Sequence, residues 1–222
     1  MKYKFKTEAH AHTKPASRCS DIIPSEMASI YKGLGFDSVV ITNHFMKGYS
    51  VDAFLSDFHE TKKEMEKLDM YAILGMEIRF SDVNNNDYLV YGIDENDVVK
   101  AAGFWDATIE DFYKGFKNDR NVIIQAHPFR EGMFLADKNS IDGVEVFNMH
   151  PGHNSKVGLA ARYAKENPEF LISGGSDFHH FGQEGMCATL TKKKITDSFM
   201  FADVLKKKDF LIEIGDTVVS VK

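Results

Sequence analysis

The chain has 222 residues, 43% of them hydrophobic, with 27 Lys plus Arg against 33 Asp plus Glu and a formal net charge of −6. That length and apolar content suit one globular domain over residues 1–222 and exclude a disordered chain. The acidic balance argues against a broad nucleic-acid surface, although a local basic rim would still suit a phosphate.

An apolar strand followed by a helix-like segment recurs along the chain, which predicts an α/β fold of βα units around a parallel sheet. The first strand is predicted over Tyr3 to His10 and the first helix over Ser25 to Gly35, with Pro24 at its entrance and a Gly end. A short buried strand, Ser38 to Thr42, precedes a charged amphipathic helix over Val51 to Leu68. The third strand runs from Tyr71 to Phe80. Asn84 to Asn86 form a turn, so Tyr88 to Tyr91 should pair back as a hairpin. Thr108 to Phe116 reads as a helix and Asn121 to Ala126 as a strand. Further strands are expected at Gly143 to Phe147, Phe170 to Ile172, Met186 to Leu190 and Phe210 to Ile214, with helices at Ser155 to Glu166 and Ser198 to Lys207. No apolar run approaches the roughly 20 residues needed to cross a bilayer, and the N-terminal MKYKFKTEAHAHT has no apolar leader core. Cys19 and Cys187 form no CxxC pair. A reducing, cytoplasmic setting without membrane attachment is therefore expected.

The polar residues that interrupt this pattern fall at strand ends. His10 and His12 follow the first strand, His44 the second and His127 the fourth; Asp177 and His179 follow the sixth, and Glu77 lies inside the third. In βα barrels such ends converge on one face, so these residues should gather into one pocket. A His-x-His pair at a strand end points both imidazoles to the same side, where both can bind one ion. Glu77 stands in an apolar strand with only Arg79 beside it on the same face, and a buried carboxylate needs a partner, for which a metal is the better explanation. Glu145 is a second carboxylate inside a strand, with Asn148 at that strand's end. Carboxylates mixed with imidazoles and no thiolate cluster suit Zn²⁺, Mn²⁺ or Fe²⁺ better than Ca²⁺. The candidate ligands outnumber what one tetrahedral ion takes, so more than one ion is expected.

In chain order, HAH (10–12), TNH (42–44), GME (75–77), QAHP (125–128), VEVFN (144–148) and GGSDFH (174–179) resemble the PHP superfamily, named for polymerase and histidinol phosphatase. The resemblance runs along nearly the whole chain. It implies a distorted, TIM-like seven-stranded (βα) barrel with two or three divalent ions and, usually, phosphoesterase activity. By the same resemblance, His10 and His12 hold a first ion with Glu77 and Asp177; Glu77 bridges to a second ion held by His127; His44 and His179 hold a third. Asp87 stands where the family commonly places a further histidine for the second ion. The third ion normally takes a His or Asp just after HxHT, but Thr13 to Asp21 contains no histidine, leaving Cys19, Asp21 or a weak or empty site. Asn43 stands for the usual Asp and removes a carboxylate beside His44, which would lower that imidazole's basicity.

Close ions sharing a water would activate it against a phosphate ester. The leaving alkoxide needs a proton or a third cation, for which His179, His44 or a metal-bound water is the candidate, with His179 taken as catalytic. Arg18 and Arg130, on predicted pocket loops, are the candidates to clamp phosphate oxygens, against the plainer reading of solvated surface arginines. His150, His153 and His180 read as ordinary loop histidines, and His59 as a surface residue. Phe45, Phe129, Phe134, Phe178 and Phe181 read as packing rather than as a base-stacking pocket. The expected partner is a small phosphorylated substrate, and Lys192 to Lys194 and Lys206 to Lys208 look like solvated helix ends rather than a nucleic-acid groove. Three other readings compete: an exonuclease-like hydrolase, an amidohydrolase-like C–N hydrolase, which typically bridges its ions through lysine, and a metal-binding module without turnover.

Overall fold

The computed structural model describes residues 2–81 and 84–221. Twelve strands and six α-helices are named here: β1 (Phe5–Ala11), α1 (Pro24–Gly33), β2 (Ser38–Ile41), β3 (His44–Phe45), α2 (Val51–Glu66), β4 (Tyr71–Leu74), β5 (Met76–Arg79), β6 (Asp87–Tyr91), α3 (Glu95–Ala101), α4 (Ile109–Phe116), β7 (Val122–Gln125), β8 (Gly143–Asn148), α5 (Val157–Glu166), β9 (Leu171–Gly175), β10 (Ala188–Thr191), α6 (Ser198–Lys207), β11 (Leu211–Ile214) and β12 (Thr217–Ser220). Among the described residues, no helix is long and apolar enough to cross a membrane.

The expected closed barrel is not found. The strands form two six-stranded mixed sheets, ordered β12-β11-β10-β1-β2-β4 and β3-β5-β6-β7-β8-β9. Two features of the chain break the closed ladder. The predicted third strand bends at Gly75 into β4 and β5, and its neighbour bends after Ile41 into β2 and β3, so each passes from one sheet to the other. Gly75 is needed at that bend, because a Cβ there would lie 2.8 Å from Val40 Cγ1. The parallel expectation also fails in part. β6 is antiparallel to both β5 and β7, as the hairpin reading requires, and β10 to β12 form an antiparallel edge.

Period-2 alternation still sorts side chains between two cores. Val40, Ile73, Leu89, Tyr91, Val122 and Ile124 face an inner cluster closed by Phe201 and Leu205 of α6. Val39, Ile41, Ala72, Val90 and Ile123 face an outer cluster covered by α1, α2 and α4 through Met27, Tyr31, Phe54, Phe58 and Phe112. The helices start on ordinary caps: Ser50 accepts from Ala53 N before α2, and Asp197 from Met200 N before α6.

β1 departs from strict alternation, and the departure aims the site. Its register against β2 shifts between Glu8 and Ala11. Glu8 Oε1 accepts from the successive amides of Ala9 and His10 and from Ser176 N, each at 2.9–3.0 Å. Ala9 thus faces the inner cluster while Ala11 belongs to the outer one, and His10 and His12 turn together toward the rim above the inner core. Extra residues in a strand commonly re-aim side chains in this way.

Candidate metal centre

The rim residues come from ends that topology brings together. His44 of β3 is the register partner of Glu77 on β5, and Asp87 reaches the same rim because β6 runs back against β5, opposite Arg79. His127 follows β7, and Asp177 and His179 follow β9. His127 and Asp177 both have positive φ, 30° and 54°, a conformation that costs a non-glycine residue energy and clusters at functional sites.

Glu77 is the hub. Its Oε1 lies 3.5 Å from His10 Nε2 and 3.2 Å from His127 Nε2, and its Oε2 lies 3.4 Å from His12 Nε2 and 3.0 Å from His44 Nδ1. Asp177 Oδ1 lies 3.4 Å from His10 Nε2 and 3.5 Å from His12 Nε2. His10, His12, Glu77 and Asp177 are all at most 1% exposed. Among the described residues, His10 Nε2, His12 Nε2, His44 Nδ1 and Glu77 Oε2 have no hydrogen-bond partner, an arrangement that native interiors rarely leave unexplained.

The residues around the rings fix which nitrogen faces inward. His10 Nδ1 donates to Glu145 Oε1 at 2.8 Å, and Glu145 Oε2 accepts from His127 N and Asn148 Nδ2. His12 Nδ1 lies 3.1 Å from Ser17 Oγ, whose own proton goes to Asn43 Oδ1 and which also accepts from His44 N. Both rings therefore carry Nδ1–H and aim Nε2 at the shared space, the orientation in which metal-binding histidines with outer-shell partners hold an ion; His12 Nε2 offers its lone pair directly and His10 Nε2 would do so on losing its second proton. Tetrahedral ligands at 2.0–2.2 Å from an ion stand about 3.4 Å from one another, which matches the 3.4–3.5 Å separations of His10 and His12 from Glu77 and Asp177. The donor set and spacing fit a divalent ion. His10, His12 and Glu77 form one cluster of suitable ligand atoms; His12, His44 and His179 form a second, and His44, Glu77 and Asp87 a third.

Electrostatics agree with a site built for cations. Burial pushes the His10 pKa down, but Asp177, Glu145 and Glu77 overcome it and raise it well above 6.5; Glu77 does the same for His44. His12 is pushed well below 6.5 by burial and by His179 and His44, so its lone pair is free. Burial opposes ionisation of Glu77 and Asp177, yet His10 in each case holds the carboxyl well below its ordinary range. The protons on His10 and His44 thus neutralise the carboxylates where an ion would otherwise do so.

A pH dependence follows. The imidazoles' folded values lie above 6.5, so their contribution to stability is whole below pH 6.5 and is lost as pH rises through the raised values. The carboxylates' folded values lie below 4.5 and 3.8, so theirs is whole above those and lost as acid titrates the depressed values. An added ion displaces the protons on His10 and His44. The gain in Tm on adding Zn²⁺ to chelated protein is expected to grow as pH rises through neutrality, with proton release on binding visible by calorimetry in buffers of different ionisation enthalpy.

Other sequence expectations meet different surroundings. The Asn43 side chain faces away from the His44 ring. It accepts from Thr13 N at 2.7 Å and donates to Asp57 Oδ2 at 2.8 Å, while the basicity of His44 is raised above its ordinary value chiefly by the Glu77 charge, against burial. Arg79 pairs with Asp87 rather than Glu77, both nitrogens at 2.7 Å from its two oxygens. Arg130 Nη2 donates to Asp177 Oδ2 at 2.5 Å and Asn148 Oδ1 at 2.9 Å. Arg18 lies apart, exposed, donating to Gly48 O and stacked 4.7 Å over Tyr49. His150, His153 and His180 line the pocket of about 360 Å³ together with Cys19, His44, Glu77, Arg79, Asp87, His127, Arg130, Asp177 and His179. None of the five phenylalanines lines it; Phe45 and Phe178 are wholly buried in the outer core. His59 is exposed and pairs with Glu95.

Glu8, Glu145 and Ser17 received no role from sequence. A signal existed for the first two, since both are carboxylates inside apolar strands, but their partners are 168 and 135 residues away.

No protein-family model matches the chain, and no curated protein matches it by sequence. Solved structures do share its fold. A two-domain protein from Bacteroides vulgatus containing a predicted PHP-like metal-dependent phosphoesterase superposes with a TM-score of 0.67 at 15% identity, over 96% of this chain and 66% of that one. The chain thus spans just under two thirds of that protein's length. PsfC from Pseudomonas syringae superposes with a TM-score of 0.64 at 15% identity, over 90% of this chain and 88% of that one. An amidohydrolase from Chromobacterium violaceum, with bound sulfate and no metal, gives 0.57 at 14% identity, over 80% and 89%. The fold is that of PHP-like structures.

Proposed function

We propose that this PHP-like fold is a metal-dependent phosphoesterase that hydrolyses a small phosphomonoester or a nucleotide phosphate, with residues 1–222 acting as one domain. The observation that carries the reading is the set of buried ring nitrogens and carboxylate oxygens of His10, His12, Glu77 and Asp177, spaced as ligands of one ion and, in part, without other partners. These four would hold a first ion. Glu77, His127 and Asp87 would serve a second, with Asp87 sharing an oxygen now in the Arg79 fork. His44 and His179 would serve a third. The imidazole and carboxylate donors suit Zn²⁺, Mn²⁺ or Fe²⁺. Two unpaired cysteines fit a cytoplasmic setting.

When bound, such ions stabilise charge on a phosphoryl oxygen and lower the pKa of a water. Arg130 Nε lies buried without a partner among the described residues, and its guanidinium lines the pocket beside Asp177. It would orient an anionic oxygen there. His179 Nδ1 donates to the Asp177 carbonyl at 2.9 Å, which steadies the ring, and its pKa is raised: burial opposes, but hydrogen bonding to Cys19 and the Asp177 charge prevail. Without an ion on its Nε2, a ring that holds a proton at the pocket wall would serve as donor to a leaving alkoxide; with a third ion held there, His179 would act as ligand and the ion would stabilise the leaving oxygen instead. Arg18, on the loop that carries Cys19, would be the more distant anion contact.

Charge-assisted hydrogen bonds are worth about 1.5–3 kcal/mol. Arg130→Ala is therefore expected to raise KM for a phosphate ester by ~10–100-fold, with Arg130→Lys intermediate, as steady-state kinetics would show. The reading itself is tested by stripping the protein, reloading it with Zn²⁺, Mn²⁺ or Fe²⁺, and assaying p-nitrophenyl phosphate, a phosphomonoester panel and an amide panel. Ester hydrolysis that appears with metal and disappears with chelator is expected. Amide hydrolysis alone would support the C–N hydrolase, although among the described residues no lysine lines this pocket; full metal content with no turnover would support the non-catalytic module.

A further inference from the structure

The turn that follows β8 brings a histidine outside the proposed ligand set to the pocket wall. His150 is only 9% exposed and lines the same pocket as Arg130, Asp177 and His179. Its ring lies near two others, with centroids 4.5 Å from His153 and 5.9 Å, edge-on, from His179. Among the described residues it joins none of the groups of suitable metal-ligand atoms.

Two contacts fix how this residue is held. His150 Nδ1 accepts from Gly152 N at 3.0 Å. Glycine permits that approach, since a Cβ at position 152 would lie 2.9 Å from His150 Cε1. A ring nitrogen that accepts an amide proton carries none of its own, so the ring is neutral and its one proton sits on Nε2. Burial acts in the same direction, drawing the His150 pKa down to about 4 against the Asp177 charge. Asn148 Oδ1 makes the second contact, accepting from His150 N at 3.4 Å, and it also accepts from Arg130 Nη2 at 2.9 Å and Ser155 Oγ at 2.8 Å. Asn148 Nδ2 in turn donates to Glu145 Oε2 and Asp177 Oδ2. One amide thus anchors both His150 and Arg130 beside a proposed metal ligand.

We propose that His150 is a substrate contact, an uncharged donor whose Nε2–H binds an anionic oxygen of the phosphate ester that Arg130 also holds. The two donors divide the work. Arg130 supplies positive charge, whereas a neutral N–H grips the anion without adding a further positive charge to a pocket suited to cations. The fixed tautomer makes that donor directional, because Nε2 is the only ring nitrogen with a proton to give. This inference rests on the phosphoesterase reading above, and its test separates the two.

The test compares metal-loaded wild type with His150→Ala and with His150→Gln, whose side-chain amide returns an N–H near the place of Nε2. With p-nitrophenyl phosphate, His150→Ala is expected to lose ~10–100-fold in kcat/KM with its metal content unchanged, and His150→Gln to recover much of that loss. Because the donor carries no charge, the factor lost should be the same at pH ~6 and pH ~9. A loss that fades as pH rises would mark a cationic imidazole and overturn the neutral donor. Inorganic phosphate, followed by calorimetry, should bind His150→Ala more weakly by a similar factor. Unchanged kinetics and phosphate affinity in His150→Ala, loss of its metal, or equal losses in both variants would overturn the contact. Wild type that binds metal and phosphate yet hydrolyses no ester would overturn the phosphoesterase reading instead, and the drop in phosphate affinity would then decide the role of His150.

Discussion

Glu77→Gln is expected to cost more than ~100-fold in affinity for the divalent ion and to remove metal-dependent turnover, because outer-shell partners alone cost ~10–100-fold and Glu77 is the hub of the ligand set. Its two oxygens face four imidazoles between 3.0 and 3.5 Å. Glutamine keeps the volume and one acceptor, so packing at this buried position is preserved, but it removes the negative charge. Losing that charge matters more than losing one acceptor: Glu77 is the chief opposing charge that keeps His44 protonated and one of three that act on His10. In the variant both rings release protons more readily, and an entering cation meets neutral ligands with Asp177 as the nearest remaining anion. Isothermal titration and elemental analysis measure the affinity, and circular dichroism checks the fold. Unchanged metal content in a folded Glu77→Gln protein would remove Glu77 from the centre.

Gly175→Ala is expected to lower Tm by roughly 5–10 °C, since overpacking costs about 1–3 kcal/mol or more and each kcal/mol shifts a chain of this size by about 2–4 °C. A Cβ at Gly175 would lie 2.4 Å from His10 Cβ, 2.8 Å from His10 N and 3.0 Å from Glu8 Oε1. Those neighbours are the point where Glu8 joins the Ala9 and His10 amides to Ser176. Relief of the clash must separate β1 from β9, and so His10 from Asp177, and metal affinity should fall with stability. Gly158→Ala, in α5 with nothing within 4 Å of its Cβ, is the matched control and should be neutral or slightly stabilising. Differential scanning calorimetry with and without Zn²⁺ reads both effects.

Much of this arrangement was legible because short-range rules produce it. Apolar runs ending in His10, His127 and Asp177 mark strands and their ends, and the Asn84–Asn86 stretch before Tyr88 signalled the hairpin that brings Asp87 to the rim. Ser198–Lys207 forms the helix its pattern predicts. What stayed hidden depends on distant partners. The bends at Gly75 and after Ile41 divide the expected barrel into two sheets through contacts between Gly75 and Val40. The partner of Arg79 is set by the antiparallel register of β5 on β6. The role of Asn43 is set by Thr13, Ser17 and Asp57, which no local spacing joins. Short elements escaped as well: α3 has only seven residues behind its Asp94–Asp97 capping box, and β12 is a largely exposed edge.

The pocket floor is tested most directly by diffraction from zinc-loaded crystals above and below the zinc absorption edge. An anomalous peak within bonding distance of His10 Nε2, His12 Nε2, Glu77 and Asp177 is the expected result. Zinc bound only outside the pocket, or full zinc loading with these four side chains still paired to one another, would contradict a metal centre at that position.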